Sequence, residues 1–153
     1  MAESGHRVGD LLKLALSGEF DVIVHGCNCF HAMGAGIAKP IREHFPEAYA
    51  ADKATPYGER SKLGTISTAR IVRDGAYFDV VNAYTQFHWR GQGRKVEYDA
   101  LEQCFDAVAL KYPGAHVAYP LIGAGLAGGD WGEIRSRIDK ALFAHRHTLV
   151  TLA

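Results

Sequence analysis

The sequence lacks the long apolar run of a membrane-spanning helix, and it also lacks an excess of charge of either sign. No stretch approaches the roughly 18 apolar residues that a span requires, and 17 Lys and Arg residues balance 17 Asp and Glu residues. Zero net charge argues against a protein that coats nucleic acid or an anionic membrane, although it allows a local basic patch. The apolar patch at residues 11–16 has no basic segment before it and no cleavage motif after it, so we expect no signal peptide.

Cysteine is scarce as well, and its spacing excludes the common cysteine frameworks. The chain has three cysteines, Cys27, Cys29 and Cys104, so disulfides would leave one of them unpaired. The first two are too close together for the usual zinc site. We therefore predict buried, reduced thiols in a cytoplasmic protein, with no metal and no cofactor. A chain of 153 residues has the length of one domain, which we predict over residues 1–153. At this size folding buries about 70% of the surface that the unfolded chain exposes, so neither metal nor disulfides are needed to hold the fold together.

Strand-like segments alternate with helix-like segments along the chain. Residues 21–26 form a nearly continuous apolar run, which is typical of a strand buried on both faces. Asp74-Gly75 lies between two strand-like runs and predicts a hairpin. This order predicts a layered α/β sheet with helices on both faces, which the hairpin makes mixed. Four apolar side chains recur at the spacing of one helix face: Leu101, Cys104, Phe105 and Val108.

Two glycine-rich connections each lead from a predicted strand to a predicted helix. The first contains Gly34-Ala35-Gly36, and the second covers residues 123–129. In a parallel sheet both lie at the edge where α/β proteins bind ligands, and glycine lets an anion approach the backbone N–H groups. We therefore predict a cleft for a pyrophosphate. The first loop has neither the third glycine of a dinucleotide fingerprint nor the Gly-Lys-Ser/Thr of a P-loop, which disfavours a dehydrogenase or NTPase.

Five motifs together resemble the macrodomain family in order and spacing. The resemblance covers essentially the whole chain and is nearest to the branch that processes ADP-ribose-1''-phosphate. It implies a three-layer α/β/α sandwich with a mixed sheet of about six strands, and a ligand that contains ADP-ribose. The motifs are VGDL at 8–11, CNC at 27–29, MGAGIA at 33–38, VNAYTQ at 81–86 and PLIGAGLAGGDW at 120–131.

The resemblance also implies which residues bind ADP-ribose. Asp10, with Leu11 beside it, matches the acid that accepts a hydrogen bond from the adenine amino group. Asn28 matches the asparagine that holds the hydroxyls of the distal ribose. Two loops match those that bind the diphosphate, the first with Met33 before it: Gly34, Ala35, Gly36 and Ile37, and Gly123, Ala124, Gly125 and Leu126.

Three residues are predicted to be catalytic: His25, Asn28 and His31. Asn28 would fix the ribose, and an imidazole has the right ordinary pKa for proton transfer near neutral pH. His25 stands where many macrodomains have asparagine, and a histidine there resembles the fungal phosphatases, in which it is a proposed catalytic residue. For both histidines a purely structural role is the alternative.

The chain also departs from the family in ways that limit the mechanism. The carboxylate partner of the phosphatase histidine would fall near residues 90–93, where there is no acid. Ala83 and Ala127 occupy the positions of the lysine and aspartate by which another branch removes ADP-ribose from glutamate. Covalent lysine catalysis is therefore not expected.

The predicted function is metal-independent hydrolysis at the distal ribose, with ADP-ribose-1''-phosphate as substrate. One alternative is removal of ADP-ribose from protein or nucleic acid, and another is a non-catalytic reader of ADP-ribose. Arg90, Arg94 and Lys95 form a basic loop that is either a solvated turn or a contact for a phosphate or a modified partner. His88 and Trp89 are either part of an exposed loop or a cover for the site. Four other histidines are predicted at the surface: His44, His116, His145 and His147.

Overall fold

A computed structural model describes residues 4–152, and strands and helices alternate along this part of the chain. The strands are β1 (Ser4–Val8), β2 (Val22–Cys27), β3 (Ile66–Arg73), β4 (Ala76–Tyr84), β5 (Val117–Tyr119) and β6 (His147–Thr151). The α-helices are α1 (Leu11–Leu16), α2 (Ala38–His44), α3 (Pro46–Lys53), α4 (Tyr98–Lys111) and α5 (Trp131–Ala141). None of the helices in the described residues is long and apolar enough to cross a membrane.

The six strands form one mixed sheet in the order β1-β6-β5-β2-β4-β3. The β3–β4 pair is antiparallel, and the other neighbouring strands run parallel. Helices α1, α2 and α3 contribute to the hydrophobic core on one face of the sheet, and α4 and α5 contribute to the core on the other. The predicted three-layer α/β/α sandwich with a mixed six-stranded sheet is therefore confirmed.

Strand β2 lies near the middle of the sheet and is buried on both faces. Val22 and Val24 belong to the core under α4 and α5, whereas Ile23 belongs to the core under α1, α2 and α3. This explains why the strand is continuously apolar instead of alternating. His25 lies two residues after Ile23 in the same strand, and side chains two residues apart share a face of the sheet. Its side chain therefore lies on the α1–α3 face.

The sequence pattern predicts a helix that begins around Gly36 and a strand over residues 116–122, but the structure differs at both boundaries, each time for a local reason. Helix α2 begins at Ala38 instead of near residue 36, because Gly36 has a φ of +59°, which is outside the right-handed helical region. Pro40 still falls in the first turn, where its missing N–H is tolerated. The strand expected up to residue 122 ends at Tyr119, since Pro120 has no N–H for the ladder.

The expectation that His145 and His147 lie at the surface is wrong, because their side chains are 6% and 2% exposed. His147 lies in β6 between two sheet neighbours, and its Nδ1 is 2.6 Å from the Tyr119 hydroxyl. The Nε2 of His145 donates to the Tyr112 carbonyl at 2.8 Å. One ring nitrogen of each imidazole therefore has a hydrogen-bond partner, whereas the buried Nδ1 of His145 has none among the described residues.

We expect the free energy of unfolding to decrease as the pH falls below about 6.5, the ordinary pKa of histidine. Burial lowers the pKa of His25, His116 and His147 in the folded chain. The unfolded chain therefore binds protons first, and stability is lost between the unfolded and folded pKa values. Urea midpoints from pH 8 to pH 5 measure this. The His25→Gln variant should show a shallower decrease, and a decrease as steep as that of the wild type would contradict the assignment to His25.

Candidate functional site

The connections that follow β1, β2, β4 and β5 meet at one edge of the sheet and enclose two adjoining cavities. The first cavity, beside Asp10, measures about 630 Å³, and the second cavity, beside Asn28, about 830 Å³. Gly36 and Leu121 are among the residues that line both. The two cavities therefore form one elongated cleft at the edge where parallel α/β sheets bind ligands.

The first cavity combines a carboxylate with an apolar floor. Asp10 caps α1, and its Oδ1 accepts from the Lys13 N–H at 3.1 Å. Its other oxygen accepts no hydrogen bond from the described residues. Leu11 and Leu12 are buried beneath it, and Leu152 is exposed at the rim. A flat apolar group with one outward donor would fit this arrangement.

The first glycine loop lines the second cavity with unused N–H groups. Within residues 4–152, the N–H groups of Gly34, Ala35, Gly36 and Ile37 donate no hydrogen bond. The three residues 34–36 are exposed. An ideal Cβ at Gly34 would meet no atom within 4 Å, so the backbone is open to a ligand at this point. Adjacent unpaired N–H groups of this kind form anion-binding concavities.

The second glycine loop faces the first across the cleft. The N–H groups of Gly123, Gly125 and Leu126 likewise donate to no acceptor in the described part of the chain. The Gly129 N–H donates to the Gly123 carbonyl at 2.7 Å and closes the loop. The Leu126 side chain lies 3.5 Å from the position of a Cβ at Gly36, so the two loops approach each other closely enough to enclose one anion.

Asn28 lies at the start of the first loop and is only 6% exposed, yet it lines the second cavity. Its Oδ1 accepts from the Phe30 N–H at 2.9 Å, and its Nδ2 donates to the Ala32 carbonyl at 2.9 Å. The side chain therefore fixes the path of the loop. The Nδ2 carries a second hydrogen, which has no acceptor among the described residues and is left for a ligand.

The two histidines predicted to be catalytic do not line either cavity. His25 is fully buried, and its Nε2 donates to the Asn82 amide oxygen at 2.6 Å. His31 has a φ of +58°, and its Nε2 donates to the Thr55 carbonyl at 2.9 Å. The His25 imidazole is thus engaged in the protein interior and the half-buried His31 imidazole with Thr55, and the structure does not bring them together with Asn28 at the cleft.

Two of the residues predicted to bind the ligand also lie outside the cavity surface. Met33 is 1% exposed and belongs to the core under α1–α3. Ala124 donates its N–H to the Leu121 carbonyl at 3.1 Å and packs on the opposite core. The other predicted binding residues line one or both cavities: Asp10, Leu11, Asn28, Gly34, Ala35, Gly36, Ile37, Gly123, Gly125 and Leu126.

Five further residues of the connection after β4 line the second cavity: Thr85, Gln86, Trp89, Gly91 and Lys95. Lys95 is held there by its own N–H, which donates to the Ala127 carbonyl at 2.7 Å. Its ammonium group lies 3.5 Å from the Leu126 carbonyl. The sequence contained a signal for these residues, because β4 is parallel to β2 and the segment after it must reach the same edge.

The described residues include three free cysteines, which are all buried as predicted: Cys27, Cys29 and Cys104. Burial raises the pKa of each thiol, so all three are protonated at neutral pH. Across residues 4–152, no three His, Cys, Asp or Glu side chains are grouped so that they could hold a metal ion. Besides backbone N–H donors, the cleft is lined by the following polar side chains: Asp10, Lys13, Asn28, His44, Thr85, Gln86, Lys95 and Thr151.

The sequence profile of the Macro domain matches residues 24–138. An "Uncharacterized 17.5 kDa protein in tk-vs intergenic region" of Enterobacteria phage T4 is 36% identical over 138 residues, which are 86% of this chain and 84% of that protein. A DNA ADP-ribosyl glycohydrolase of Mycobacterium tuberculosis is 31% identical over 136 residues, which are 87% of this chain and 37% of that protein. The chain thus spans little more than a third of that relative's length. The solved macrodomain of Mycobacterium tuberculosis DarG has a similar fold, with a TM-score of 0.80, 20% identity and complete coverage of both chains.

Proposed function

Since this chain belongs to the macrodomain family, we propose that its cleft binds one molecule of ADP-ribose. The observation that carries this proposal is the pair of glycine loops, which both line the second cavity and carry N–H groups without an acceptor in the described residues. A diphosphate between the loops would receive several charge-assisted hydrogen bonds. The adenosine half would then occupy the first cavity, and the distal ribose would occupy the second cavity beside Asn28.

The orientation of the ligand follows from the contents of the two cavities. The first cavity is lined by the apolar side chains of Leu11 and Leu12 and by the Asp10 carboxylate. This combination suits a flat nucleobase with an exocyclic amino group. The second has the free Nδ2 hydrogen of Asn28, which suits a ribose hydroxyl. We infer that the adenine lies against Asp10, and that the C1'' carbon of the ribose faces the opening beside Trp89 and Lys95.

We expect the wild-type protein to bind ADP-ribose roughly 10-fold more tightly than IDP-ribose, because the carboxylate of Asp10 accepts from an amino group but repels a carbonyl. The Asp10→Asn variant can donate as well as accept, so its preference should nearly vanish. Asparagine is also a good helix cap, so the variant should keep the stability of α1. Calorimetry with both ligands measures the ratio. An unchanged preference in Asp10→Asn would place the base elsewhere.

We further propose that the chain hydrolyses the bond between the distal ribose and a nucleic-acid base. Support comes from the 31% identity to DNA ADP-ribosyl glycohydrolases over 87% of this chain. In this reaction water adds to C1'', and the base leaves with a proton that derives from the water. The protein's contribution is positioning: the loops hold the diphosphate, and Asn28 fixes the ribose so that water reaches one face of C1''.

Removal of phosphate from ADP-ribose-1''-phosphate remains a second candidate, but the structure favours it less. That prediction relied on His25 or His31 as the group that transfers a proton, and neither lines a cavity. The His25 imidazole is fully buried, it is bonded to Asn82, and it does not line the second cavity. A base-linked substrate needs a cavity that is open to solvent, and the exposed residues Trp89 and Gly91 line the second cavity.

One panel of substrates separates these functions. The protein would be incubated with ADP-ribosylated single-stranded DNA, an ADP-ribosylated protein and ADP-ribose-1''-phosphate, and the products would be resolved by mass spectrometry. We expect free ADP-ribose and unmodified DNA from the first substrate. Tight binding of ADP-ribose without any turnover would select a reader. Phosphate release from the third substrate alone would select the phosphatase.

A further inference from the structure

Five aromatic rings from three separate loops meet beside the second cavity: Phe30, Tyr57, Phe87, His88 and Trp89. We call this group the aromatic platform. The Phe30 ring is its centre, with ring centroids 5.4 Å from Tyr57, 4.9 Å from Phe87 and 4.8 Å from His88. The His88 and Trp89 rings stack at 4.3 Å with an angle of 8° between their planes.

The backbone holds the three loops of the platform together. The Gly58 N–H donates to the Cys29 carbonyl at 2.7 Å, and the Cys29 N–H donates to the Phe87 carbonyl at 2.9 Å. Gly58 has a φ of +68°, and a Cβ there would lie 3.1 Å from the Phe30 ring. These backbone contacts fix the rings relative to one another, and such an arrangement lowers the entropy cost of binding.

The platform exposes two large rings and is continuous with the cleft. Tyr57 is 65% exposed and Trp89 is 39% exposed. Trp89 also lines the second cavity, so a substituent on the distal ribose would emerge next to its ring. Exposed neighbouring aromatic side chains of this kind mark interaction surfaces.

The charge around the platform is basic, although the chain as a whole has no net charge. The Arg60 guanidinium lies 4.2 Å over the Phe87 ring, and that of Arg90 lies 5.0 Å over the Trp89 ring. Residues 86–96 contain three basic residues and no acidic one. On the neighbouring segments Glu59 is exposed, and Glu97 lies 3.8 Å from Arg60, so the carboxylates offset this charge only in part.

We propose that the aromatic platform binds the single strand of nucleic acid that flanks the ADP-ribosyl group. Exposed rings stack with bases of any sequence, and arginines beside them contact the phosphates, which is how proteins bind single strands without sequence preference. A peptide would offer neither regular π-faces nor a phosphate at each unit. This proposal rests on the proposed function, because it assigns the substrate class of the same site.

The test uses a fluorescein-labelled, 12-nucleotide single-stranded DNA without ADP-ribose, so that binding does not depend on the cleft. The Tyr57→Ala variant should bind it about 10-fold more weakly by fluorescence anisotropy, as for the loss of one stacked base. The Arg60→Ala/Arg90→Ala variant should reduce the slope of log affinity against log salt by about 1.4, as for two lost phosphate contacts. Tyr57→Ala should bind ADP-ribose as tightly as the wild type in calorimetry.

Tyr77→Ala is the matched control, because Tyr77 is 67% exposed and also lies next to an arginine, Arg70. It lies at the start of β4, at the opposite edge of the sheet, and Arg70 is paired with Asp79. This variant should bind the DNA as well as the wild type.

The outcomes separate the platform from the cleft. If the protein does not bind the DNA, or if Tyr57→Ala and Tyr77→Ala bind it equally well, the proposal for the platform is wrong. ADP-ribose binding would still support the proposed function. If the Tyr57→Ala variant lost binding to an ADP-ribosylated peptide but kept binding to the DNA, the platform would be a surface for a protein partner instead. DNA binding that depends on Tyr57 in a protein that does not bind ADP-ribose would support the platform and overturn the cleft assignment.

Discussion

The Asn28→Ala variant should release ADP-ribose from modified DNA at least roughly 100-fold more slowly than the wild type, the scale of losing one preorganised donor at a reaction centre. Alanine removes the Nδ2 donor that is free for the ribose. It also leaves the Phe30 N–H and the Ala32 carbonyl, both now bonded to the Asn28 amide, without that partner. The loop would then fit the ribose poorly, and the reactive carbon would lose its position.

The Asn28→Asp variant keeps one of the two loop contacts. Its carboxylate still accepts from the Phe30 N–H, but it meets the Ala32 carbonyl with an acceptor in place of the Nδ2 donor, so the urea midpoint should also decrease. It cannot donate to the ribose and places a negative charge beside the diphosphate, so turnover should decrease nearly as much as in Asn28→Ala. Unchanged turnover in either variant would show that Asn28 does not position the ribose.

The second large effect is expected at Gly129, where alanine should lower the free energy of unfolding by about 2–3 kcal/mol through overpacking. A Cβ at this position would lie 2.6 Å from the Gly123 carbonyl oxygen and 2.8 Å from the Ile134 side chain. That same carbonyl accepts the Gly129 N–H. The clash would open the second loop, and ADP-ribose binding should be lost with it. Urea unfolding and calorimetry measure the two effects.

Gly125→Ala is the matched control for Gly129→Ala in the same loop. Gly125 has no left-handed φ, and a Cβ there would meet nothing within 4 Å. Its stability should therefore change by less than about 0.5 kcal/mol. The added methyl group faces the cavity, however, and should weaken ADP-ribose binding about 10-fold by displacing one charge-assisted hydrogen bond. Equal losses of stability in both variants, or no loss of binding in Gly125→Ala, would contradict this description of the loop.

Local patterns predicted the framework of the fold. The continuous apolar run of β2, the helical spacing of Leu101 and Val108 and the Asp74-Gly75 turn each depend on nearby residues, and each is present in the structure. The two glycine loops were likewise expected at one edge, because the topology of parallel strands fixes where their connections lie.

The sequence contained a further signal about His25. Side chains alternate along a strand, so His25 and Gly26 point to opposite faces of β2. Gly26 lines the second cavity, and His25 packs towards Asn82. Parity therefore separates His25 from the cleft, although the sequence alone does not show which face carries the ligand.

The aromatic platform could not be predicted from the sequence. Phe30, Tyr57 and Phe87 lie far apart in the chain, and their contacts depend on how three irregular loops pack. The same applies to His147, whose burial results from its place in β6 between β1 and β5. Periodicity describes which residues share a face of one element, but it does not describe which loops meet.

A crystal structure of the protein with ADP-ribose tests most directly whether the two cavities form a single binding cleft. We predict the adenine amino group within hydrogen-bond distance of the Asp10 carboxylate, and the diphosphate between the N–H groups of residues 34–37 and 123–126. The distal ribose should contact the Nδ2 of Asn28, with C1'' towards Trp89. A ligand bound in the reverse direction, in one cavity only, or away from both glycine loops would contradict this assignment.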